Sequence, residues 1–246
     1  MIKKSILNLI FTKKPAESRE VMGARQLLMP FANNECKKCG KCAEICPTDA
    51  INVSEEWTVD LGKCIFCMDC IGSCPDSAIK EVPAPLYAIY RDELLFSSSK
   101  PPKESEGTID KTKAKILGNS MAIRELDTGS CNACEVEVGS MSNPYYDMNR
   151  FGLKIVASPR HADVLLVTGP MTRNMREAAL ETFDVMPSPK VVVAMGTCAI
   201  SGGIFVKGDV SGEGIKDTLD VDLYIPGCPP SPERILLALL KAFGRN

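Results

Sequence analysis

The chain has 246 residues and a mass of 26.7 kDa, which is long enough for one large domain or two small ones. Its 29 lysines and arginines against 31 aspartates and glutamates give a net charge of −2, so nucleic acid is not expected as its main partner. Hydrophobic residues make up 45% and charged residues 24%, values that exclude wholesale disorder.

The N-terminal segment, residues 1–30, has a basic and amphipathic pattern. One helical face is apolar and is surrounded by lysines; its residues are Ile2, Ile6, Leu9 and Ile10. Such a segment can lie on a membrane surface or dock on a membrane-embedded subunit, and a frayed terminus is the alternative. No apolar run is long enough to span a bilayer, and no signal-peptide cleavage site is present, so we expect a cytoplasmic protein with reduced thiols.

The twelve cysteines set this composition apart. In a cytoplasmic protein they are more typical of metal ligands than of disulfides. The first eight lie between Cys36 and Cys74, whereas the last four are spread from Cys131 to Cys228. This uneven distribution predicts two different modules.

The first eight cysteines form an internal repeat. CKKCGKCAEICPTDAI, which begins at residue 36, recurs as CIFCMDCIGSCPDSAI, which begins at residue 64, an offset of 64 − 36 = 28. Both copies read C-x2-C-x2-C-x3-C-P, the run of bacterial ferredoxins, in which the fourth cysteine binds the other cluster. Structural zinc is the alternative, but zinc sites prefer two C-x2-C pairs separated by a spacer.

Residues 31–82 are therefore expected to form a ferredoxin module with two [4Fe–4S] clusters. The ligands predicted for one cluster are Cys36, Cys39, Cys42 and Cys74, and those predicted for the other are Cys64, Cys67, Cys70 and Cys46.

A linker is predicted over residues 83–115, where the composition shifts to proline, serine and lysine. It carries one short helix near Asp92–Phe96, and its length supports a domain boundary.

Residues 116–246 alternate between predicted strands and helices, which favours a flavodoxin-like, doubly wound α/β domain with a parallel sheet. The predicted strands are Met121–Leu126, Leu153–Ala157, Ala162–Thr168, Lys190–Met195 and Val221–Ile225. The predicted helices are Cys134–Met141, Met175–Val185 and Glu233–Phe243, the last preceded by Ser231 and Pro232 as N-cap and first helical residue.

The last four cysteines all follow predicted strands. Cys131 and Cys134 come after the first strand of this domain, Cys198 after the fourth and Cys228 after the fifth. The carboxyl ends of parallel strands meet at one edge, where α/β sheets bind ligands. We therefore predict a third [4Fe–4S] cluster there, against the alternative that some of these cysteines are buried structural thiols.

Four motifs in this domain, DTGSCNACEVEV, SPRHADVLLVTGPMT, GTCAISGGIF and YIPGCPPSPE, carry a family resemblance. They resemble the small, proximal-cluster subunit of energy-converting membrane-bound [NiFe]-hydrogenases such as formate hydrogenlyase. The same fold occurs in a subunit of respiratory complex I, which typically carries two adjacent cysteines. The spacing Cys131-x-x-Cys134 therefore favours the hydrogenase branch. The N-terminal module resembles the partner ferredoxin subunit of the same complexes.

The resemblance implies an electron-transfer subunit without catalytic residues of its own. Electrons would pass through three [4Fe–4S] clusters between a donor, a ferredoxin or a formate dehydrogenase, and a Ni–Fe site in a large partner subunit. The protein would be peripheral, beside membrane-embedded subunits at the cytoplasmic face.

Three further residues are candidates for a proton or interface role. The resemblance implies that Glu135 lies near the third cluster and the partner, although a glutamate in a first helical turn is also favoured by the helix dipole. His161, the only histidine, is expected near the same edge, and its neighbour Arg160 is a candidate for contact with the large subunit. A pH-linked role for His161 is weighed against a structural one.

Two other functions stay open. The first is the equivalent subunit of a nickel-free, complex I-like quinone or sulfur oxidoreductase, and the second is a free-standing polyferredoxin. NAD, FAD and ATP are not expected, because the chain has neither a G-x-G-x-x-G nor a Walker motif.

Overall fold

A computed structural model describes residues 26–110, 113, 120–206 and 208–245. The predicted amphipathic segment, residues 1–30, therefore lies outside the described residues except for its last five positions. Within the described parts of the chain, no helix has both the length and the apolar character needed to cross a bilayer.

The first module consists of two small antiparallel sheets and two short helices. Strand β1 pairs with β4, and β3 lies between β2 and β5. In chain order the elements are β1 (Leu28–Ala32), α1 (Lys41–Glu44), β2 (Ile51–Asn52), β3 (Thr58–Asp60), α2 (Asp69–Gly72), β4 (Ile79–Pro83) and β5 (Leu95–Ser97).

The sequence repeat is also a repeat of backbone conformation. Helix α2 begins 28 residues after α1 (69 − 41) and has the same length. Lys38 and Phe66 share a φ near +55° to +60°, and Asp49 and Ser77 share a φ near +50°. Non-glycine residues rarely adopt this region because it is sterically unfavourable, yet both copies of the repeat adopt it at the same positions. These turns present the cysteines of the two runs in equivalent ways.

The second module is a five-stranded parallel sheet with helices between its strands, as the sequence predicts. The strand order β10-β9-β8-β6-β7, read from the β7 edge, corresponds to 2-1-3-4-5 within the module, the flavodoxin-like order. The strands are β6 (Met121–Asp127), β7 (Leu153–Ile155), β8 (Val164–Thr168), β9 (Val191–Met195) and β10 (Leu223–Ile225). The α-helices are α3 (Ala133–Ser140), α4 (Arg176–Asp184), α5 (Gly196–Ser201) and α6 (Pro232–Ala242).

The burial of the two central strands, β8 and β9, explains why their sequences are almost entirely apolar. Every residue of β8 and β9 is buried, because helices cover both faces of the sheet. Helix α6 begins at Pro232 after Ser231, as predicted, and nine of its eleven residues are buried.

The segment predicted as a linker packs against both modules in its described part, residues 83–110 and 113. Its strand β5 extends the first module's sheet. Ala88 forms a β-bridge with Tyr224, and the buried Arg234 donates to the Pro85 carbonyl at 2.7 Å. The helix expected near Asp92–Phe96 is a 3-10 turn at Arg91–Leu94. The continuous apolar run PLYAIY, whose residues 85–88 are all buried, accounts for this packing, which the overall composition of the segment does not reveal.

Candidate iron–sulfur sites

The eight cysteines of the first module form two groups of four, each of which takes one member from the other run. Each group lines its own small cavity. Around the first cavity are Cys36, Cys39, Cys42 and Cys74, and around the second are Cys46, Cys64, Cys67 and Cys70. The structure thus brings together the sets of four that the repeat predicts.

Backbone amides point at the thiols in both groups. The Ala50 amide donates to Cys46 Sγ at 3.3 Å, and 28 residues later the Ala78 amide donates to Cys74 Sγ at 3.3 Å. The Phe66 amide donates to Cys64 Sγ at 3.4 Å. Hydrogen bonds of this kind stabilise a negatively charged sulfur and tune the potential of an iron–sulfur cluster.

A third group lies at the carboxyl edge of the parallel sheet. Cys131 lies in the loop just before α3, Cys134 is in the first turn of α3, Cys198 is in α5 and Cys228 is in the loop after β10. Strands β6 and β8, between which the strand order reverses, are neighbours here, and such a crevice is where open α/β sheets bind ligands. Cys131 and Cys228 are exposed, so the group opens onto the protein surface.

Gly196 makes room for the third group. Its φ is +82°, and an added Cβ would lie 2.7 Å from Cys134 Sγ. A Cβ on Gly203 would lie 3.0 Å from Cys198 Sγ. The backbone therefore approaches two thiols more closely than any side chain would allow.

Burial makes these thiols poor acids on their own. It raises the pKa of Cys64, Cys70 and Cys198 to about 12, and repulsion between neighbouring thiolates adds to the rise. Four such thiolates side by side need a compensating positive charge, which irons supply. The donor set and its electrostatics thus fit [4Fe–4S] clusters.

The spacing within the groups differs from that of a single-ion site. Among residues 26–110, 113, 120–206 and 208–245, no three cysteine, histidine or carboxylate side chains converge closely enough to bind one metal ion. A cubane needs a wider set, because each cysteine binds a different iron atom.

Glu135 lies beside the third group. It is in the first turn of α3, and its carboxylate adds to the rise in the pKa of Cys134 and Cys198 that burial causes. Both of its carboxylate oxygens are buried, and among the described residues neither has a hydrogen-bond partner.

The expectation that His161 lies near this edge is wrong, and Arg160 lies beside it in the same turn. They form the 3-10 turn Pro159–His161, which precedes β8 and so lies at the amino edge of the sheet. Both side chains are exposed. A residue before a parallel strand lies at the opposite end from the loop that follows it, which is the physical reason for the correction.

Trp57 lies beside Cys42 of the first group and belongs to none of the sequence motifs. It is 1% exposed and packs edge-on against Phe31, with ring centroids 5.7 Å apart. Burial raises the pKa of Cys42, and the nearby indole N–H opposes that rise. Within the described part of the chain, the N–H completes no hydrogen bond, so it is available to donate to a sulfur atom of a bound cluster. The signal in the sequence was the chain's only tryptophan, placed between the two cysteine runs.

Replacing Trp57 with phenylalanine is expected to lower the reduction potential of the first group's cluster by about 20–60 mV, the equivalent of one ordinary hydrogen bond. Phenylalanine keeps the ring packed against Phe31 but cannot donate to sulfur. Potentiometric titration followed by electron paramagnetic resonance (EPR) measures the shift. An unchanged first potential, or an equal shift of all the clusters, would contradict the assignment.

Comparison with known proteins divides the chain in the same way. Residues 131–242 match the family described as NADH ubiquinone oxidoreductase, 20 kDa subunit. Residues 35–78 match the 4Fe–4S dicluster domain. Iron–sulfur clusters are therefore the cofactors of this chain.

Three relatives illustrate the range of similar proteins. The chain is 41% identical over 128 residues to the probable membrane-bound hydrogenase subunit mbhJ of Pyrococcus furiosus, covering 52% of this chain and 77% of that one. It is 41% identical over 141 residues to formate hydrogenlyase subunit 7 of Escherichia coli, covering 57% of this chain and 55% of that one. It is 38% identical over 149 residues to an NADH-quinone oxidoreductase subunit of Carboxydothermus hydrogenoformans, covering 54% of this chain and 90% of that one.

Proposed function

Because the chain belongs to the family of the 20 kDa subunit of NADH–ubiquinone oxidoreductase, we propose that it relays electrons to or from a Ni–Fe site in a partner subunit. It is an electron-transfer subunit of an oxidoreductase complex. The proposal is that this complex is a membrane-associated hydrogenase, which reduces protons or oxidises H2 at a site outside this chain.

Three convergent groups of four cysteines carry this proposal. Each group would hold one [4Fe–4S] cluster, which takes up and releases a single electron. The proposed ligands are Cys36, Cys39, Cys42 and Cys74 for the first cluster, Cys46, Cys64, Cys67 and Cys70 for the second, and Cys131, Cys134, Cys198 and Cys228 for the third.

The protein's own residues exclude water and position the ligands. Cys42, Cys64 and Cys70 are buried, so the first two groups lie largely within the first module. The third group opens at Cys131 and Cys228, so the partner that exchanges electrons with it would dock over these residues. The donor, a ferredoxin or a formate dehydrogenase, would approach the first group, where Cys39 is exposed.

The hydrogenase branch is favoured by the spacing of Cys131 and Cys134, which are not adjacent. The similarity to a membrane-bound hydrogenase subunit and a formate hydrogenlyase subunit agrees with it. These relatives also support placing the chain beside membrane-embedded subunits, at the cytoplasmic face.

A nickel-free quinone or sulfur oxidoreductase is the second candidate. It is favoured by the 38% identity to a subunit of an NADH-quinone oxidoreductase, of which the match covers 90%.

The test is to purify the tagged native complex without oxygen, determine nickel and iron together, and measure H2-dependent dye reduction. We expect both nickel and H2 activity. If a large partner copurifies but neither nickel nor H2 activity is found, the result favours the second candidate. Iron in a chain without any partner would leave a free electron carrier.

A further inference from the structure

Helix α5, which carries Cys198, contacts the first module through two hydroxyl groups. Thr197 Oγ1 donates to the carbonyl of Cys64 at 2.8 Å, and Ser201 Oγ donates to the carbonyl of Gly62 at 2.7 Å. The two hydroxyls are one helical turn apart, so they lie on the same face of α5. They join two modules whose contacting residues are more than 130 positions apart in sequence.

The backbone around Thr197 contacts the residues of the third cysteine group. Thr197 precedes Cys198 directly, and its amide donates to the carbonyl of Gly227, next to Cys228, at 2.9 Å. On its other flank, Gly196 lies against the thiol of Cys134. Thr197 is itself 1% exposed. A single buried hydroxyl therefore connects a ligand of the second group with the backbone that positions the third.

The loop of the first module that contains Gly62 is held in place by further contacts. The amide of Gly62 donates to Asp60 at 2.8 Å, and Asp60 pairs with Arg91 at 2.7 Å. An added Cβ on Gly62 would lie 2.7 Å from Ile200 Cγ2. The two modules therefore meet here without room for an intervening side chain.

The second group, rather than the first, faces the third. Cys64 is 8% exposed, whereas its repeat partner Cys36 is half-buried. Thr48, two residues after Cys46 of the second group, lines a cavity of about 590 Å³ together with Ser201 of α5 and with Gly203. The contacts thus run from the second group to the third.

We propose that Thr197 is a positioning residue that couples the second cluster to the third through its hydrogen bond to Cys64. This inference rests on the proposed function, because it assumes that both groups hold clusters. With both clusters bound, one electron would leave the second cluster, oxidising it by one electron, and would enter the third, reducing it by one electron. No bond forms or breaks, and no proton moves.

The physical reason is the short contact. A hydrogen bond holds two heavy atoms closer than van der Waals contact does. Here the hydrogen bond joins Cys64, a proposed ligand of the second cluster, to Thr197. Thr197 directly precedes Cys198, a proposed ligand of the third cluster. Removing the hydroxyl removes this hydrogen bond and leaves the buried Cys64 carbonyl without that donor.

The test compares variants of the full chain, purified without oxygen and loaded with iron and sulfide. Thr197→Val keeps the branched shape and removes the donor, whereas Thr197→Ser keeps the donor. Ser201→Ala is the matched control, because it removes a cross-module hydrogen bond of similar length to Gly62, which binds no cluster. The readouts are iron content, the magnetic coupling between the reduced second and third clusters in EPR spectra, and the rate of electron transfer between them after photoreduction.

We expect Thr197→Val to keep all three clusters, with a several-fold slower transfer and a weaker magnetic coupling. Thr197→Ser and Ser201→Ala are expected to match the unmodified chain. A Thr197→Val variant with unchanged rate and coupling would overturn the inference, and so would an equal loss in Ser201→Ala, which would indicate general loosening. If Thr197→Val loses a cluster, the pair Thr197→Ser and Thr197→Ala provides the same comparison at smaller volume. Absence of the second or third cluster from the unmodified chain would instead refute the proposed function.

Discussion

Replacing Cys46 with serine is expected to abolish the cluster of the second group and to leave that of the first group intact. Cys46 belongs to the first run in sequence, but its thiol faces the cavity that Cys64, Cys67 and Cys70 also line. The Ala50 amide donates to this sulfur, which marks the thiol as part of the second group's ligand environment. About four iron atoms per chain should be lost.

Two reference variants identify the cluster that is lost. Cys39 and Cys67 are both exposed, and each belongs to one group without ambiguity. The EPR spectrum of Cys46→Ser should match that of Cys67→Ser. The mirror variant Cys74→Ser, at the position 28 residues later, should match Cys39→Ser. If Cys46→Ser instead matches Cys39→Ser, each run binds its own cluster and the crosswise assignment fails.

Replacing Gly196 with alanine is expected to remove the third cluster. The added Cβ would lie 2.7 Å from Cys134 Sγ, a distance that forces either the thiol or the backbone to move. The residue's φ of +82° adds roughly 1–2 kcal/mol of strain for any side chain. Because α5 also carries Cys198, a shift of its first residue disturbs two of the four ligands.

Gly139→Ala is the matched control for this substitution. Gly139 is in α3, the helix that carries Cys134, and an added Cβ there meets no atom within 4 Å. Alanine at that position should keep the full iron content and raise the free energy of unfolding by up to about 1 kcal/mol. Iron analysis and EPR spectra of the two variants test the prediction. A Gly196→Ala protein with full iron and an unchanged third signal would show that this close approach is not required.

The sequence predicted those parts of the molecule that follow from local pattern. The 28-residue repeat predicts two ligand sets, because the known run binds its fourth cysteine crosswise. The buried strands β8 and β9 were evident from their unbroken apolar residues. Cys198 and Cys228 were assigned to one edge because each follows a parallel strand, a rule that needs topology but no coordinates.

The parts that were missed depend on contacts between distant residues. Helix α5 has only six residues, and its first is a glycine, so the pattern around Cys198 indicated a loop. The pairing of β5 with β3 and the packing of Ala88 on Tyr224 bring together segments whose order in the chain gives no sign of contact. His161 precedes β8, so it lies at the amino edge of the sheet and not among the loops that follow the strands.

The hydrogen bond of Thr197 to the first module depends on the fold and cannot be predicted from the sequence. Threonine within GTCAIS has no distinctive signal in sequence, and its partner Cys64 is 133 residues away. Only the docking of α5 on the ferredoxin module gives this residue a position between two cysteine groups.

The central claim, that this chain holds three [4Fe–4S] clusters, is tested most directly by determining iron and acid-labile sulfide in the full chain purified without oxygen. The account predicts about twelve iron and twelve sulfide atoms per chain, and three distinct cluster signals on reduction. About eight irons with no third signal, or zinc in place of iron at the cysteine groups, would contradict it.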